Sequence, residues 1–176
     1  MADEDGRDVF VSTYEGAIDA KGRVSVPAPF RSTLGGGSRI FLWPALGGLG
    51  CLEGGGEELM AVYQQTISRL APHSKRRRML TAAIISRAAD LKMDDPGRIK
   101  VPEPLLDAVG ITDRLIWVGA MDSFQIWAPD AYEAFLTEVD ASSEDEAILD
   151  ALAAPYDDAV AAGGVPGIRR YGEGEM

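Results

Sequence analysis

One stretch of this chain occurs twice, and that constrains its fold more than any other feature. Ile18-Asp19-Ala20-Lys21-Gly22-Arg23-Val24-Ser25-Val26-Pro27-Ala28-Pro29-Phe30 is answered 75 residues later by Met93-Asp94-Asp95-Pro96-Gly97-Arg98-Ile99-Lys100-Val101-Pro102-Glu103-Pro104-Leu105. Between 18–35 and 93–110, 7 of 18 positions are identical and four more exchange one apolar residue for another. About one identity is expected at average residue frequencies. The register continues without a gap to Arg39-Ile40-Phe41-Leu42 against Arg114-Leu115-Ile116-Trp117. This is an internal duplication. Each motif is too short to bury a core alone, so the copies must complete one another or find neighbours.

Each copy carries its own physical logic. Asp19 can hydrogen-bond the backbone of its turn, and Gly22 supplies a positive φ that other residues resist. The turn then projects Lys21 and Arg23 outward. Val24-Ser25-Val26 alternates as a short strand. Pro27 and Pro29 stop it and suit the first turn of a helix, Phe30 and Leu34 give that helix one apolar face, and Gly35 ends it. In the second copy Asp94, Gly97, Arg98, Pro102, Pro104, Leu105, Val109 and Gly110 play the same parts.

Strands are expected at 9–14, 40–43, 115–118 and 124–127. Residues 84–91 favour helix by propensity, but the duplication assigns them to a strand, the counterpart of 9–14. Between the copies lie Gly47-Gly48 and Gly54-Gly55-Gly56, so the region around Cys51-Leu52-Glu53 reads as an enlarged loop without an apolar strand. A helix over 57–70 places Leu59, Val62, Tyr63, Ile67 and Leu70 on one face, and Pro72 separates it from a second helix over 75–83. Pro129 opens a third, carrying Tyr132, Phe135, Leu136 and Val139. Beyond Ser142 the chain is Ala, Gly and acid, the composition of a disordered tail. The organisation is therefore 9–70 and 84–141 as two repeats each with its helix, 71–83 as a connecting helix, and 142–176 as an acidic tail.

A net charge of −11 looks unsuited to a nucleic-acid partner until its distribution is examined. From Ala128 onward twelve acids face two arginines, and the first eight residues hold four acids and one arginine. The remaining body carries 14 basic and 12 acidic residues. A mildly basic body with acidic ends is compatible with DNA without arguing for it unaided. No apolar run approaches the roughly 20 residues that span a bilayer. The acidic start lacks a basic-then-apolar leader pattern, and the single Cys51 suits a reducing compartment; the expectation is a cytoplasmic protein with no membrane partner. No nucleophile elbow, phosphate-binding P-loop or metal-spaced Cys/His cluster occurs, so neither enzyme, cofactor nor metal is expected. Lys75-Arg76-Arg77-Arg78 points around most of a helix turn and reads as a solvated face. His73 reads as a loop or capping residue, and Cys51 as a small buried apolar one.

The doubled Asp19…Gly22-Arg23-Val24…Val26-Pro27 and Asp94…Gly97-Arg98-Ile99…Val101-Pro102, together with Val118-Gly119…Phe124-Gln125-Ile126-Trp127, resembles the paired D-x-x-x-R signature of the MraZ family. That family is a tandem form of the SpoVT-AbrB swapped-hairpin domain, and the resemblance covers about 9–139. It implies an α+β fold: two pseudo-symmetric swapped-hairpin, AbrB-like β-barrel halves with short flanking helices, assembled into a ring-like homo-oligomer larger than a dimer. It also implies a nucleoid-associated transcriptional regulator that binds double-stranded DNA at direct repeats in the promoter of its own division and cell-wall gene cluster. Lys21, Arg23, Arg98 and Lys100 become the candidate DNA-binding residues, with Asp19, Gly22, Asp94 and Gly97 positioning the turns. The second copy departs from the first in having Asp95-Pro96 for Ala20-Lys21, losing a cation and gaining an acid. An isolated turn of this kind is more simply a surface salt bridge; the repetition argues against that. An antitoxin-like module of the same fold, or a ring that binds other proteins, are the alternatives.

Overall fold

The structure, a computed structural model, describes residues 9–142, so the expectation for the acidic tail lies almost wholly outside the described residues. The first compact unit extends to Tyr132, and the second begins at Glu133. The elements in order are β1 (Thr13–Ala17), β2 (Arg23–Ser25), α1 (Ala28–Thr33), β3 (Arg39–Pro44), β4 (Leu52–Gly55), α2 (Glu57–Ser68), α3 (Lys75–Leu80), a π-helical turn (Thr81–Ile85), β5 (Ala89–Lys92), β6 (Arg98–Lys100), α4 (Glu103–Ala108), β7 (Arg114–Ala120), β8 (Ser123–Trp127) and α5 (Pro129–Ser142).

The duplication appears as a twofold pattern in the strand pairing. Six antiparallel strands run β1-β7-β8-β4-β3-β5, and β2 pairs with β6 in a separate ribbon. Exchanging first-repeat strands for second-repeat ones maps that order onto its own reverse. The registers agree: Val24 faces Ile99 in the ribbon, the exchange of one copy for the other. At the centre of the sheet Leu52 faces Ile126 and Gly54 faces Phe124, with Glu53 opposite Gln125 between them. β1 of the first repeat pairs with β7 of the second, and β5 of the second with β3 of the first. Each repeat thus satisfies the other's strand edges. The expected barrel does not form: no described strand joins the outer strands β1 and β5.

Arginine–carboxylate pairs repeat the pattern. Arg39 on β3 binds Asp90 on β5, with Nε at 3.0 Å from Oδ1, and Arg114 on β7 meets Glu15 on β1 at 3.1 Å. Arg39 and Arg114, like Glu15 and Asp90, are 75 residues apart.

The core lies between ribbon, sheet and the short helices α1 and α4. Val24, Val26, Ile99 and Val101 point inward from the ribbon and its continuations. Phe30 of α1 is 1% exposed and meets Phe10, Tyr14 and Trp117 edge-on at 5.2, 5.4 and 6.2 Å between centroids. Aromatic edge-to-face packing adds to plain area burial. A second cluster joins Trp43, Met60 and Ile84 beneath Tyr63.

Four expectations need correction. The first strand begins at Thr13, because Ser12 takes a left-handed conformation (φ 70°); Phe10 makes only an isolated bridge with Met121. Residues 84–91 divide: Ile84 and Ile85 finish a helical turn with Ile84 buried against Trp43, and only Ala89–Lys92 is strand. Propensity governs the first half and pairing with β3 the second. On α2 the buried positions are Met60 and Ile67, whereas Val62 is 56% exposed. Finally, the Gly-rich segment after Cys51 is not loop. Leu52–Gly55 forms β4, held between β3 and β8.

Candidate nucleic-acid interface

The two D-x-x-x-R turns flank the β2–β6 ribbon, and each is built by its own aspartate. In the first, the Asp19 N–H donates to the Arg23 carbonyl and the Gly22 N–H to the Asp19 carbonyl, both at 2.9 Å. Asp19 Oδ1 accepts from the N–H groups of Lys21 and Arg23 at 2.9 and 2.8 Å. Its Oδ2 takes Arg23 Nε and Nη2, both at 2.8 Å. Closing so tight a loop puts Gly22 at φ 76°, a conformation costly for any residue with a Cβ. The second turn repeats the frame, with Asp94 Oδ1 accepting the Arg98 N–H at 2.7 Å and Oδ2 taking Arg98 Nε at 2.9 Å and Nη2 at 2.8 Å.

The carboxylates respond as such bonding requires. The Arg23 backbone N–H and guanidinium hold Asp19 down at about 2, with the Lys21 N–H contributing. Arg98, by its guanidinium and then its N–H, lowers Asp94 in the same direction, and the field of Arg23 also reaches it. The two turns therefore share one electrostatic neighbourhood. Hydrogen bonds to an ionised carboxylate favour its charged form.

Each arginine is thus ordered without being used up. A guanidinium carries five N–H donors, and the aspartate takes two. Nη1 and one hydrogen of Nη2 remain for an outside acceptor, with Arg23 and Arg98 side chains 28% and 31% exposed. Such a pre-organised fork suits phosphate or a guanine edge. The salt bridge and the ligand-facing reading are therefore not exclusive: the pair aims the arginine.

The ribbon brings the other candidates alongside. Lys100 lies opposite Arg23 in the β2–β6 register, with its Cε close to Gly22, and both Lys100 and Lys21 are exposed. Lys21, Gly22, Lys100, Pro102 and Leu106 line an open groove of about 580 Å³ beside the first turn. The Lys75–Arg78 run does not join them. Arg77 instead donates to the carbonyls of Ser68 and Leu70 at 3.3 and 3.1 Å, closing the C-terminus of α2. His73 is exposed in the turn before α3, and Cys51 is buried.

One residue at this surface escapes a reading of the motif alone. Arg31, on α1 of the first repeat, lies against Gly97 in the second turn. Its duplicate is Leu106, so a comparison of the aligned copies for charge differences is the signal that points to it.

Together these features define a class of protein: an α+β unit made of two fused copies of one module, sharing a sheet and presenting two aspartate-braced arginines on one ribbon. Comparison with known proteins supplies the family. The family model described as "MraZ protein, putative antitoxin-like" matches residues 84–151. A transcriptional regulator MraZ of Hyphomonas neptunium is 49% identical over 148 residues, 84% of this chain and 90% of that one. Its counterpart from Parvibaculum lavamentivorans is 40% identical over 73% of this chain and 81% of its own length. That of Caulobacter vibrioides is 37% identical over 72% and 81%. The chain belongs to the MraZ family of transcriptional regulators. Among the described residues no helix is long and apolar enough to cross a membrane.

Proposed function

We propose that this protein binds double-stranded DNA through the β2–β6 ribbon, with Arg23 and Arg98 as the base- or phosphate-contacting forks and Lys21 and Lys100 adding phosphate contacts. Asp19, Gly22, Asp94 and Gly97 keep the turns in shape. The observation that carries this reading is the pair of related turns in which a carboxylate orients an arginine yet leaves three of its donors free. Strand exchange between repeats is the mark of a swapped-hairpin unit of the AbrB type, and we assign the fold to it. Among the described residues the outer edges of β1 and β5 have no strand partner, which favours further association, so the working form is a homo-oligomer larger than a dimer, ring-like in shape. Such an assembly suits short direct repeats spaced by about one helical turn, about 10 base pairs, in the promoter of its own gene cluster. The corresponding location is the nucleoid, within the cytoplasm.

Gel-shift titration against the DNA upstream of the gene tests this. Arg23→Ala is expected to weaken binding by about 1–3 kcal/mol, more than Arg98→Ala, because Lys21 reinforces the first turn while Asp95 opposes the second. Unchanged affinity in Arg23→Ala, with folding verified by circular dichroism, rejects the assignment.

A further inference from the structure

The two turns share a frame but are not equally held. In the first, Asp19 Oδ1 accepts two backbone N–H groups, from Lys21 and Arg23. In the second the residue matching Lys21 is Pro96, which has no N–H, and Asp94 Oδ1 is left with that of Arg98. The second turn has therefore lost one internal bond as well as one cation.

The first repeat supplies what is missing. Arg31 extends from α1 across the second turn, and its Nη1 donates to the Pro96 carbonyl at 3.4 Å. The guanidinium lies directly over Gly97: a Cβ built there would stand 2.3 Å from Nη1 and 2.9 Å from Cζ. Beside it the Val26 N–H donates to the Gly97 carbonyl at 2.9 Å. Arg31 Nε is buried with no partner, so the side chain is desolvated in order to sit there. Nothing comparable covers Gly22, where the nearest atom to a Cβ is Lys100 Cε at 3.8 Å. There the duplicate of Arg31 is Leu106, which lines the open groove beside the first turn.

We propose that Arg31 is a positioning residue for DNA recognition by the second turn. It acts across the repeat boundary, replacing the restraint that Pro96 removed and holding Gly97 so that Arg98 is presented. This rests on the DNA-binding reading above, and it adds that the second turn's contact depends on a residue of the first repeat.

The test is a double-mutant cycle in a gel-shift assay with the full chain. Arg31→Leu installs the residue that the second repeat uses, so it fits the helix, and melting curves check the fold. Arg31→Leu alone is expected to weaken DNA binding roughly fivefold, the scale of one net hydrogen bond. It should weaken Arg23→Ala by the same factor and leave Arg98→Ala unchanged. A general structural role would lower all three backgrounds alike and overturn the proposal. A salt dependence made shallower by Arg31→Leu even in the Arg98→Ala background, by about 0.9 in the log–log slope, would make Arg31 a phosphate contact instead and also overturn it. If Arg23→Ala and Arg98→Ala both bind normally, the DNA-binding reading has failed. If they weaken binding while Arg31→Leu does not, only the Arg31 assignment has failed.

Discussion

Gly54 is a position where one added methyl group should do great harm. It lies on β4 at the centre of the sheet, opposite Leu42 on one side and Phe124 on the other. A Cβ there would come within 2.4 Å of Leu42 Cδ2, 2.7 Å of the Phe41 carbonyl oxygen and 2.9 Å of Phe124 Cε2. Leu42 and Phe124 are fully buried, so neither side chain has open space to enter, and the carbonyl belongs to a strand paired on both edges. Overpacking a filled core costs about 1–3 kcal/mol, and three close contacts, one to backbone, put Gly54→Ala at the upper end, about 3 kcal/mol. For a domain of this size that is roughly a 10 °C fall in melting temperature. Combining it with Leu42→Val removes one side-chain conflict and leaves the carbonyl, so recovery should be partial. Gly110→Asn is the control: the position has φ 71° and open space around it, and Asn tolerates that conformation, so a change below about 0.5 kcal/mol is expected. Thermal melts by circular dichroism decide the matter. If Gly54→Ala melts within about 2 °C of the wild type, the tight central packing is refuted.

Because the folded state holds Asp19 down at about 2, its contribution to the turn is complete above the ordinary value of 3.8 and is lost as pH falls through 2. Carboxyl-carbon NMR should show that titration, and a midpoint at or above 3.8 refutes the bracing of Arg23. Burial, followed by the charge of Glu53, pushes the Cys51 thiol up to about 12, so it should resist a thiol reagent at neutral pH until denaturant opens the core; stoichiometric labelling of native protein within minutes is the contrary result. Removing residues 143–176 deletes eight acids and two arginines and should tighten DNA binding at low salt, with the gain shrinking as salt screens it. Equal affinities at both salts make the tail electrostatically irrelevant.

Most of the fold's site-bearing parts are legible in the sequence because both copies keep the signal, while β8, α2 and α5 show in their own apolar patterns. The turn aspartates and glycines, the prolines that open α1 and α4, and the strands β3 and β7 occur in pairs and were placed from their repetition. β4 was missed because Leu52-Glu53-Gly54-Gly55 has none of the β-branched residues that signal a strand; its conformation comes from β3 and β8 on either side. The helical turn after α3 departs in the opposite way: duplication assigns residues 84–91 to a strand, whereas tertiary burial of Ile84 supports their helical propensity at its start. The pairs Arg39–Asp90 and Arg114–Glu15 were in principle visible, because both members align between copies, yet nothing within one repeat says they meet. Arg31 is hidden for a stronger reason: it lies against Gly97, 66 residues away, and no motif includes it, so only its charge difference from Leu106 marks it.

Fusing two copies in one chain explains why the symmetric and asymmetric features separate so cleanly. Positions that build the shared core and sheet remain equivalent: Val24 with Ile99, Val26 with Val101, Arg39 with Arg114, Glu15 with Asp90. A change at one of these disturbs packing that both repeats rely on. Positions in the turns and in the short helices beside them have diverged: Lys21 against Pro96, Arg31 against the buried Leu106. In a dimer of identical chains every such change would appear twice, and a proline that removes an N–H from one turn would remove it from both. Here Pro96 weakens one turn only, and Arg31 lies over that turn and not the other. The two differences occupy one place in space although they lie in different repeats. The twofold frame fixes where the two arginines stand relative to each other, and the single chain lets each be held by different chemistry.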